Sequence, residues 1–173
     1  DNIVGGVISS QLIPSVEKGI RMALADGVLA GFPVVGISVS LYDGKMHPVD
    51  SKDIAFQIAG RMAIKKAILE SKPVLLEPIY DMDIEVPEDC VGDIMGDMNS
   101  RRGRIQTMES KGRNSVVKAQ VPLAEIQSYA PDLNSMTGGK GSYIMRLASY
   151  EAVPAHMQDK VVADIKRIQD EDE

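Results

Sequence analysis

The spacing of apolar residues predicts two helices in the first 72 residues. In residues 13–25, helical spacing places four apolar side chains on one face: Val16, Ile20, Ala23 and Leu24. A second helix is predicted to begin at a cap formed by Ser51 or Asp53 and to run to about Glu70. Its apolar stripe is expected to consist of Ile54, Ile58, Met62 and Ile68.

Between these helices, residues 32–42 are β-branched and alternate in polarity, which predicts one strand. The pair Asp43-Gly44 favours a tight turn, so a loop is predicted at residues 43–48. One strand between two helices is too little sheet to be stable by itself. We therefore expect that its partner strands precede Asp1, or that it pairs with an edge elsewhere.

From residue 73 onward, strands and helices alternate regularly. Strands are predicted at residues 74–86, 103–109, 115–121 and 141–153, and helices at 87–99, 123–136 and 157–168. Pro131 is expected to interrupt the middle helix. Strand, helix and strand occur twice, and a hairpin around Gly112 joins the halves, which is the split βαβ or ferredoxin-like pattern. Residues 73–155 are therefore predicted to form one compact α/β sandwich, and the fold class is α+β.

The composition changes this picture little. The chain has 173 residues, of which 44% are hydrophobic and 25% charged, so it can bury a core and is not disordered throughout. One cysteine excludes an internal disulfide and suits a reducing cytosol. No run of about 18 uncharged apolar residues is present, so no membrane span is expected. The start lacks both Met and a signal peptide, which is typical of a cut inside a longer protein.

The charge is unevenly distributed. The net charge of −6 argues against a protein that coats nucleic acid by bulk charge, but four acids belong to the terminal run 170–173. Residues 77–97 contain eight acids and no base, whereas residues 101–118 contain six bases and one acid. The whole-chain charge therefore hides a local basic segment.

Residues suited to catalysis are sparse. Cys90 lies among Glu88, Asp89 and Asp93, whose negative charge would raise the thiol pKa, so a small core residue is the favoured interpretation. CxxC, HExxH and GxSxG motifs do not occur, and the glycine-rich residues 137–142 lack the spacing of a phosphate loop. We therefore expect no catalytic, cofactor or metal site in this chain.

Two segments could contact RNA. Lys45 and His47 occupy the predicted loop, where a cation and an imidazole could touch a phosphate or a base, although an ordinary polar loop is the interpretation that the residues alone favour. Arg101, Arg102 and Arg104 follow a predicted helix. These arginines could bind phosphates, or they could neutralise the helix end and the acids just upstream. The residues alone leave both alternatives open.

A resemblance becomes visible at these residues. Eight stretches occur in order: IVGGVI (3–8), IPSVEKGI (13–20), LAGFPVVGISVSLYDGKMHPVDSKDIAFQIAG (29–60), PVLLEP (73–78), GDIMGDMNSRRGRI (92–105), VPLAEI (121–126), DLNSMTGGKGSYIM (132–145) and YEAVP (150–154). Together they make the chain similar to the C-terminal part of bacterial elongation factor G, the GTPase that drives ribosomal translocation. The resemblance covers almost the whole chain except its acidic tail.

The resemblance implies a domain organisation. Residues 1–72 would be the latter part of the fourth domain, an incomplete ribosomal-protein-type βαβ domain that reaches into the decoding region. Residues 73–155 would be the ferredoxin-like fifth domain, and residues 156–173 a C-terminal helix and acidic tail. The family's tip loop matches six residues expected to contact RNA: Asp43, Gly44, Lys45, Met46, His47 and Pro48. Arg101, Arg102 and Arg104 match the family's NSRRG-type stretch and would be RNA-facing or structural.

The resemblance also implies partners and cofactors. The partners would be the ribosome, through rRNA of both subunits and a stalk-base protein, and the tRNA–mRNA pair. The family's GTP-binding domain is absent from this sequence, so the chain alone is expected not to be an enzyme. GTP and Mg would belong to the full-length parent, which we expect to be a cytoplasmic monomer.

Some positions depart from the family pattern. Met46 and Pro48 stand where members often carry an aromatic and an acidic residue, and Ser9-Ser10 replaces a proline-containing turn. These departures leave room for a ribosome-recycling or ribosome-protective paralogue. A small-molecule sensor or acylphosphatase-like enzyme on the ferredoxin-like half is a third alternative, which rests on analogy of fold alone.

Overall fold

The computed structural model describes residues 7–47 and 52–171. The chain forms two compact units, Asp1–Pro73 with His156–Glu173, and Val74–Ala155. The helices are α1 (Ile13–Asp26), α2 (Asp53–Glu70), α3 (Val91–Ser100), α4 (Tyr129–Thr137) and α5 (Ala155–Glu171). The strands are β1 (Leu76–Pro87), β2 (Arg104–Lys111), β3 (Asn114–Pro122) and β4 (Ser142–Ala152), with short 3₁₀ turns at Glu88–Cys90 and Leu123–Glu125.

In the first unit, α1 and α2 pack at very short range. A stripe of small residues, Ser15, Gly19 and Ala23, is buried on α1. A Cβ added at Gly19 would overlap the carbonyl of Gln57 on α2, and one added at Gly60 would lie 2.7 Å from the carbonyl oxygen of Val16. Each helix therefore places a glycine against the backbone of the other helix, and such close contact excludes even a methyl group.

The expected apolar stripe of α2 is wrong for three of its four residues. Ile54, Ile58 and Met62 are 59%, 52% and 67% exposed, and Ile68 alone of the stripe is buried. The buried face consists of Gly60, Ile64 and Ile68. α1 packs where a glycine allows the closest approach, and this contact overrides the apolar periodicity. Lys52 occupies the N-cap position and Asp53 lies in the first turn, while Ser51 lies outside the described residues.

The predicted strand at residues 32–42 is also wrong: within the described stretch 7–47 the structure contains no strand. The backbone N–H of Val34 donates to the carbonyl of Leu24 at 2.8 Å, and Gly36 adopts a positive φ of 72°. Strand geometry is stabilised by hydrogen bonds to a neighbouring strand. No partner strand lies beside this segment among the described residues, and its backbone is irregular.

The second unit contains a four-stranded antiparallel sheet in the order β2-β3-β1-β4. Its core lies between one face of the sheet and helices α3 and α4, and its largest fully buried side chains include Tyr129, Met82, Ile84, Ile94 and Met98. Alternate residues of β1 and β3 point into this core, as expected for a sheet covered on one side. The predicted α+β class and the split βαβ pattern are confirmed.

The expected interruption of a helix at Pro131 is wrong. The segment 123–136, predicted to be partly helical and interrupted at Pro131, consists of the 3₁₀ turn Leu123–Glu125 and the separate helix α4, whose first turn contains Pro131. Amides in the first turn of a helix have no partner within the helix, so proline is tolerated there. The helix therefore begins shortly before the proline.

Tyr129 carries an unusual polar group into the core. Its ring packs edge-on against Tyr143 at 5.3 Å between centroids, but its buried hydroxyl forms no hydrogen bond with any of the described residues. Burial raises the pKa of this hydroxyl, so it stays neutral. We expect Tyr129→Phe to raise the free energy of unfolding by about 1 kcal/mol, because it removes an unsatisfied polar group. Urea denaturation would measure this gain, and a loss of stability would show that the hydroxyl has a partner.

Candidate functional site

The loop predicted to contact RNA begins at Asp43. From Asp43 to His47, every residue is exposed, whereas Leu41 just before them is half-buried. The N–H of Gly44 donates to Oδ1 of the neighbouring Asp43 at 2.7 Å. A Cβ at Gly44 would overlap the side chain of the buried Ile8, so the loop lies directly against that residue. Pro48, also expected at this site, lies outside the described residues.

The side chains that follow Gly44 are exposed and could form a contact surface. Lys45 and His47 are exposed, and Met46 is 36% exposed. Lys45 makes no ion pair with any residue in the described ranges, so its charge is available to a partner. An ammonium group and an imidazole two residues apart on an exposed loop can donate hydrogen bonds to phosphates or base edges. The exposed Lys45 and His47 are therefore suited to bind RNA.

Arg101 is held inside the second unit. Its guanidinium donates to Asp97 at 2.8 Å, to Asp132 at 2.7 Å and to the carbonyl of Glu125 at 2.8 Å. It also lies over the ring of Tyr129, 5.2 Å from the centroid. The hydrogen bond with Asp97 is the main cause that raises the pKa of Arg101. Arg101 therefore fastens the end of α3 to the start of α4.

Arg102 is held more tightly. Its guanidinium forms two hydrogen bonds with the carboxylate of Glu77, at 2.8 and 3.0 Å, and a third with Glu125 at 2.8 Å. The hydrogen bonds to Glu77 are the largest cause that raises the pKa of Arg102, so the guanidinium stays charged. Arg102 has a positive φ of 58° just after α3, a position that glycine usually occupies. The ion pairs thus stabilise a backbone conformation that an L residue rarely adopts.

Arg104 differs from the other two arginines in exposure. Its side chain is 54% exposed and pairs with Glu151 at 2.6 Å, whose side chain is 42% exposed. Such an exposed pair is weak and exchanges readily with solvent. The structure thus places Arg101 and Arg102 in internal ion pairs, which favours the structural alternative for them. Arg104 is accessible to a partner.

A shallow depression lies on the open face of the sheet. Its volume is about 220 Å³, and its polar lining includes Asp81, Gln106 and Lys118. The two cations of the lining are already paired inside the unit, because Lys118 pairs with Glu109 at 2.7 Å and Arg146 pairs with Asp83 at 3.2 Å. An acyl phosphate would need unpaired cations, so this depression gives the small-molecule alternative no support.

Other candidate chemistry receives little support from the geometry. Burial and the neighbouring Asp89 carboxylate raise the pKa of the half-buried Cys90 thiol, which disfavours a nucleophilic thiolate. Among the described residues, no group of three or more His, Cys, Asp and Glu side chains is arranged to hold a metal ion. Within the same ranges, no helix combines the length and apolarity that a membrane crossing requires.

Sequence reasoning missed the partners of the arginines. Glu77 and Glu125 fix Arg102 from 25 and 23 residues away, and Glu151 reaches Arg104 from 47 residues away. The one available signal was the excess of acids at residues 77–97, upstream of the basic segment. That signal indicates ion pairing, but it does not say which residues pair.

Comparison with known proteins links both units to one family. The family model described as "Elongation factor G, domain IV" matches residues 1–72, and the one described as "Elongation factor G C-terminus" matches residues 74–161. An "Elongation factor G" from Aquifex pyrophilus is 54% identical over 164 residues, which are 95% of this chain and 24% of the relative. A crystal structure of a protein from Thermus thermophilus superimposes with a TM-score of 0.81 at 46% identity and covers 96% of this chain. The chain spans about a quarter of the length of these relatives, 24% and 25% respectively.

Proposed function

The chain belongs to the elongation factor G family, and we propose that it is the ribosome-contacting C-terminal portion of a translational GTPase that promotes tRNA–mRNA translocation. The observation that carries this proposal is the loop from Asp43 to His47, which is exposed and rests on Ile8 within a stretch matched to the family's domain IV. In this proposal the loop enters the decoding region of the small subunit. Lys45 and His47 bind RNA there without making or breaking covalent bonds.

The proposal gives the two units different tasks. The first unit carries the RNA contact, because the exposed Lys45 makes no ion pair with any of the described residues. The second unit is braced internally by Arg101 and Arg102, so it serves as a rigid base near the large-subunit stalk. GTP, Mg and the hydrolysis step belong to parts of the parent that this chain does not include. The parent acts as a cytoplasmic monomer.

The proposal predicts a selective defect for His47→Ala. The experiment uses a chimera, defined as the Aquifex pyrophilus elongation factor G in which this chain replaces the matching part. We expect translocation to slow by roughly tenfold, since the loss of one hydrogen bond to a charged or polar partner raises a barrier by about 1.4 kcal/mol. Ribosome-stimulated GTP hydrolysis should stay largely intact, because in this proposal the hydrolysis belongs to a part of the parent that this chain does not include.

His156 offers a matched control. It is the other histidine of the chain, it is exposed, and it begins α5 rather than the loop. His156→Ala should leave both rates unchanged. Unaltered translocation in the His47→Ala chimera would remove this side chain from the mechanism, and equal defects in both variants would indicate a general effect on folding.

A ribosome-recycling or ribosome-protective paralogue is the second candidate. It is favoured by Met46, which is partly exposed in the loop where family members often carry an aromatic residue. A translocation assay with the chimera separates the two functions. A translocase moves tRNA and mRNA in every round, whereas a recycling or protective factor displaces a ligand or separates subunits without moving tRNA.

A further inference from the structure

The side chain of Tyr42 is unusually exposed. Its exposed fraction of 75% is the largest among the large apolar side chains of the described residues. The residue immediately precedes the loop from Asp43 to His47. Its ring and its hydroxyl make no ring contact and no hydrogen bond with any residue in the described ranges. The first unit, as far as it is described, therefore gives this side chain no packing role.

The other tyrosines show how this chain ordinarily uses aromatic rings. The chain has five tyrosines, two phenylalanines and no tryptophan. Tyr129 is fully buried, and Tyr80 and Tyr143 pack against the core of the second unit. Tyr150 is exposed like Tyr42, but it lies within the paired strands β1 and β4 of the sheet. A single exposed ring is ordinary by itself, so the meaning of Tyr42 depends on its neighbours.

The neighbours of Tyr42 carry the chemistry of a nucleotide-binding surface. Three residues further along the chain, the exposed Lys45 makes no ion pair with any of the described residues, so it can bind a phosphate. Asp43 lies between them in the sequence, and its negative charge repels a phosphate near the ring. A base carries no such charge, and its flat face can stack on a tyrosine. The order of aromatic ring, carboxylate and ammonium therefore favours a base at Tyr42 and a phosphate at Lys45.

We infer that Tyr42 stacks on an unpaired base of the RNA that the loop enters. This inference deepens the proposed function and rests on it. Gly44 lies directly against the buried Ile8, so the backbone between the ring and Lys45 is in contact with the body of the first unit. Stacking on an aromatic ring tolerates any sequence, because every base has a flat face. A contact of this kind suits a factor that has to act on every codon.

Two substitutions at position 42 separate the ring from the rest of the side chain. Tyr42→Leu keeps an apolar side chain without a flat ring, and in the chimera we expect it to slow translocation by roughly tenfold, because one base stack is lost. Tyr42→Phe keeps the ring and removes a hydroxyl that has no partner among the described residues, so the rate should stay within about twofold. Phe32→Leu is the matched control, because the ring of Phe32 is 56% exposed in the same unit but lies outside the loop. It should leave the rate unchanged.

Photo-crosslinking identifies the molecule that the ring touches. A benzophenone amino acid takes the place of Tyr42 in the chimera, and the same probe in place of Phe32 serves as the control. The chimera is bound to ribosomes that carry tRNA and mRNA and is then irradiated. We expect a nuclease-sensitive adduct from position 42 and roughly tenfold less of it from position 32. A ring with a purely structural role would instead crosslink within the factor, and that adduct would resist nuclease.

The outcomes distinguish the inference from the proposed function. If Tyr42→Leu leaves translocation unchanged while His47→Ala slows it, the stacking is overturned and the proposed function stands. If neither change slows translocation, the proposed function also loses the observation that carries it. The inference is equally overturned if Tyr42→Phe or Phe32→Leu is as slow as Tyr42→Leu, or if position 42 crosslinks to protein alone, whether in the factor or in the ribosome.

Discussion

Replacing Gly19 with alanine is expected to destabilise the first unit by about 3 kcal/mol, since overpacking of this kind typically costs about 1–3 kcal/mol and the obstacle here is backbone. The added Cβ would overlap the carbonyl of Gln57, with the Cα of Gln57 only 2.9 Å away. A flexible side chain could rotate away, whereas a helix backbone must move as a whole. The expected result is a shift of α1 from α2 and exposure of Ile64 and Ile68.

Gly96→Ala supplies the matched control for this prediction. Gly96 is also a helical glycine, but it lies on α3 where a Cβ would meet nothing within 4 Å. This change should stabilise its helix by about 0.5–1 kcal/mol, because alanine has the higher helix propensity. Urea unfolding followed by far-UV circular dichroism would measure both changes. Near-UV circular dichroism reports mainly the unfolding of the second unit, which contains Tyr80, Tyr129, Tyr143 and Tyr150, and so distinguishes it from the unfolding of the first unit. If the Gly19→Ala chain were as stable as the unsubstituted chain, α1 and α2 would be less closely packed than described.

Removing the side chain of Arg102 should be the most damaging change in the second unit. Arg102→Ala leaves Glu77, whose side chain is 12% exposed, without its guanidinium partner, and removes the bond to Glu125. Deleting one member of a largely buried pair strands the other charge, which typically costs about 3–5 kcal/mol. We therefore expect the free energy of unfolding to fall by about 3 kcal/mol, the lower value because both partners keep some contact with water.

Two further variants separate the effect of the lost ion pairs of Arg102 from the effect of its positive φ and from the loss of an exposed ion pair. Arg102→Gly loses the same ion pairs but relieves the positive φ of 58°, so it should be about 1 kcal/mol less harmful than Arg102→Ala. Arg104→Ala removes an exposed pair and should change stability by under about 1 kcal/mol. Urea midpoints of the three variants give this order directly. If Arg102→Ala and Arg104→Ala proved equally mild, the bracing role of Arg102 would have to be abandoned, and an RNA-facing role would regain support.

The second unit could be predicted from sequence because its signals are local. Alternating residues in β1 and β3, the turn at Gly112 and the glycines after α4 each act within a few neighbours. Together they fix which segments are strands, and the hairpin then limits how the strands can be arranged. The order β2-β3-β1-β4 followed from that arrangement.

The first unit shows where such reasoning stops. Residues 32–42 have the composition of a strand, but a strand also needs a neighbour, and no property of the segment reveals whether one is present. On α2, Ile54 and Ile58 looked like a buried face, yet the helix packs through Gly60, because two backbones can approach closely only where a side chain is missing. Long-range packing decides both cases.

In the candidate site, too, local features could be predicted from the sequence and long-range contacts could not. The irregular backbone from Asp43 to His47 agrees with the loop predicted from the pair Asp43-Gly44, whereas the tight turn is absent and the contact of Gly44 with Ile8 was not predicted. The roles of the arginines depend on carboxylates up to 47 residues away, so the sequence left them open. The contact of Lys45 and His47 with RNA stays a prediction.

The chain enters and leaves the second unit at neighbouring positions. Leu76 lies opposite Ala152, and the N–H of Val153 donates to the carbonyl of Leu75 at 2.9 Å, so entry and exit lie side by side at one end of β1 and β4. Tension between these two points would load the hydrogen bonds of the strand pair one after another, starting from that end. Bonds loaded in sequence separate at a much lower force than bonds sheared together. The unit is therefore mechanically soft along this one direction, however well its core is packed.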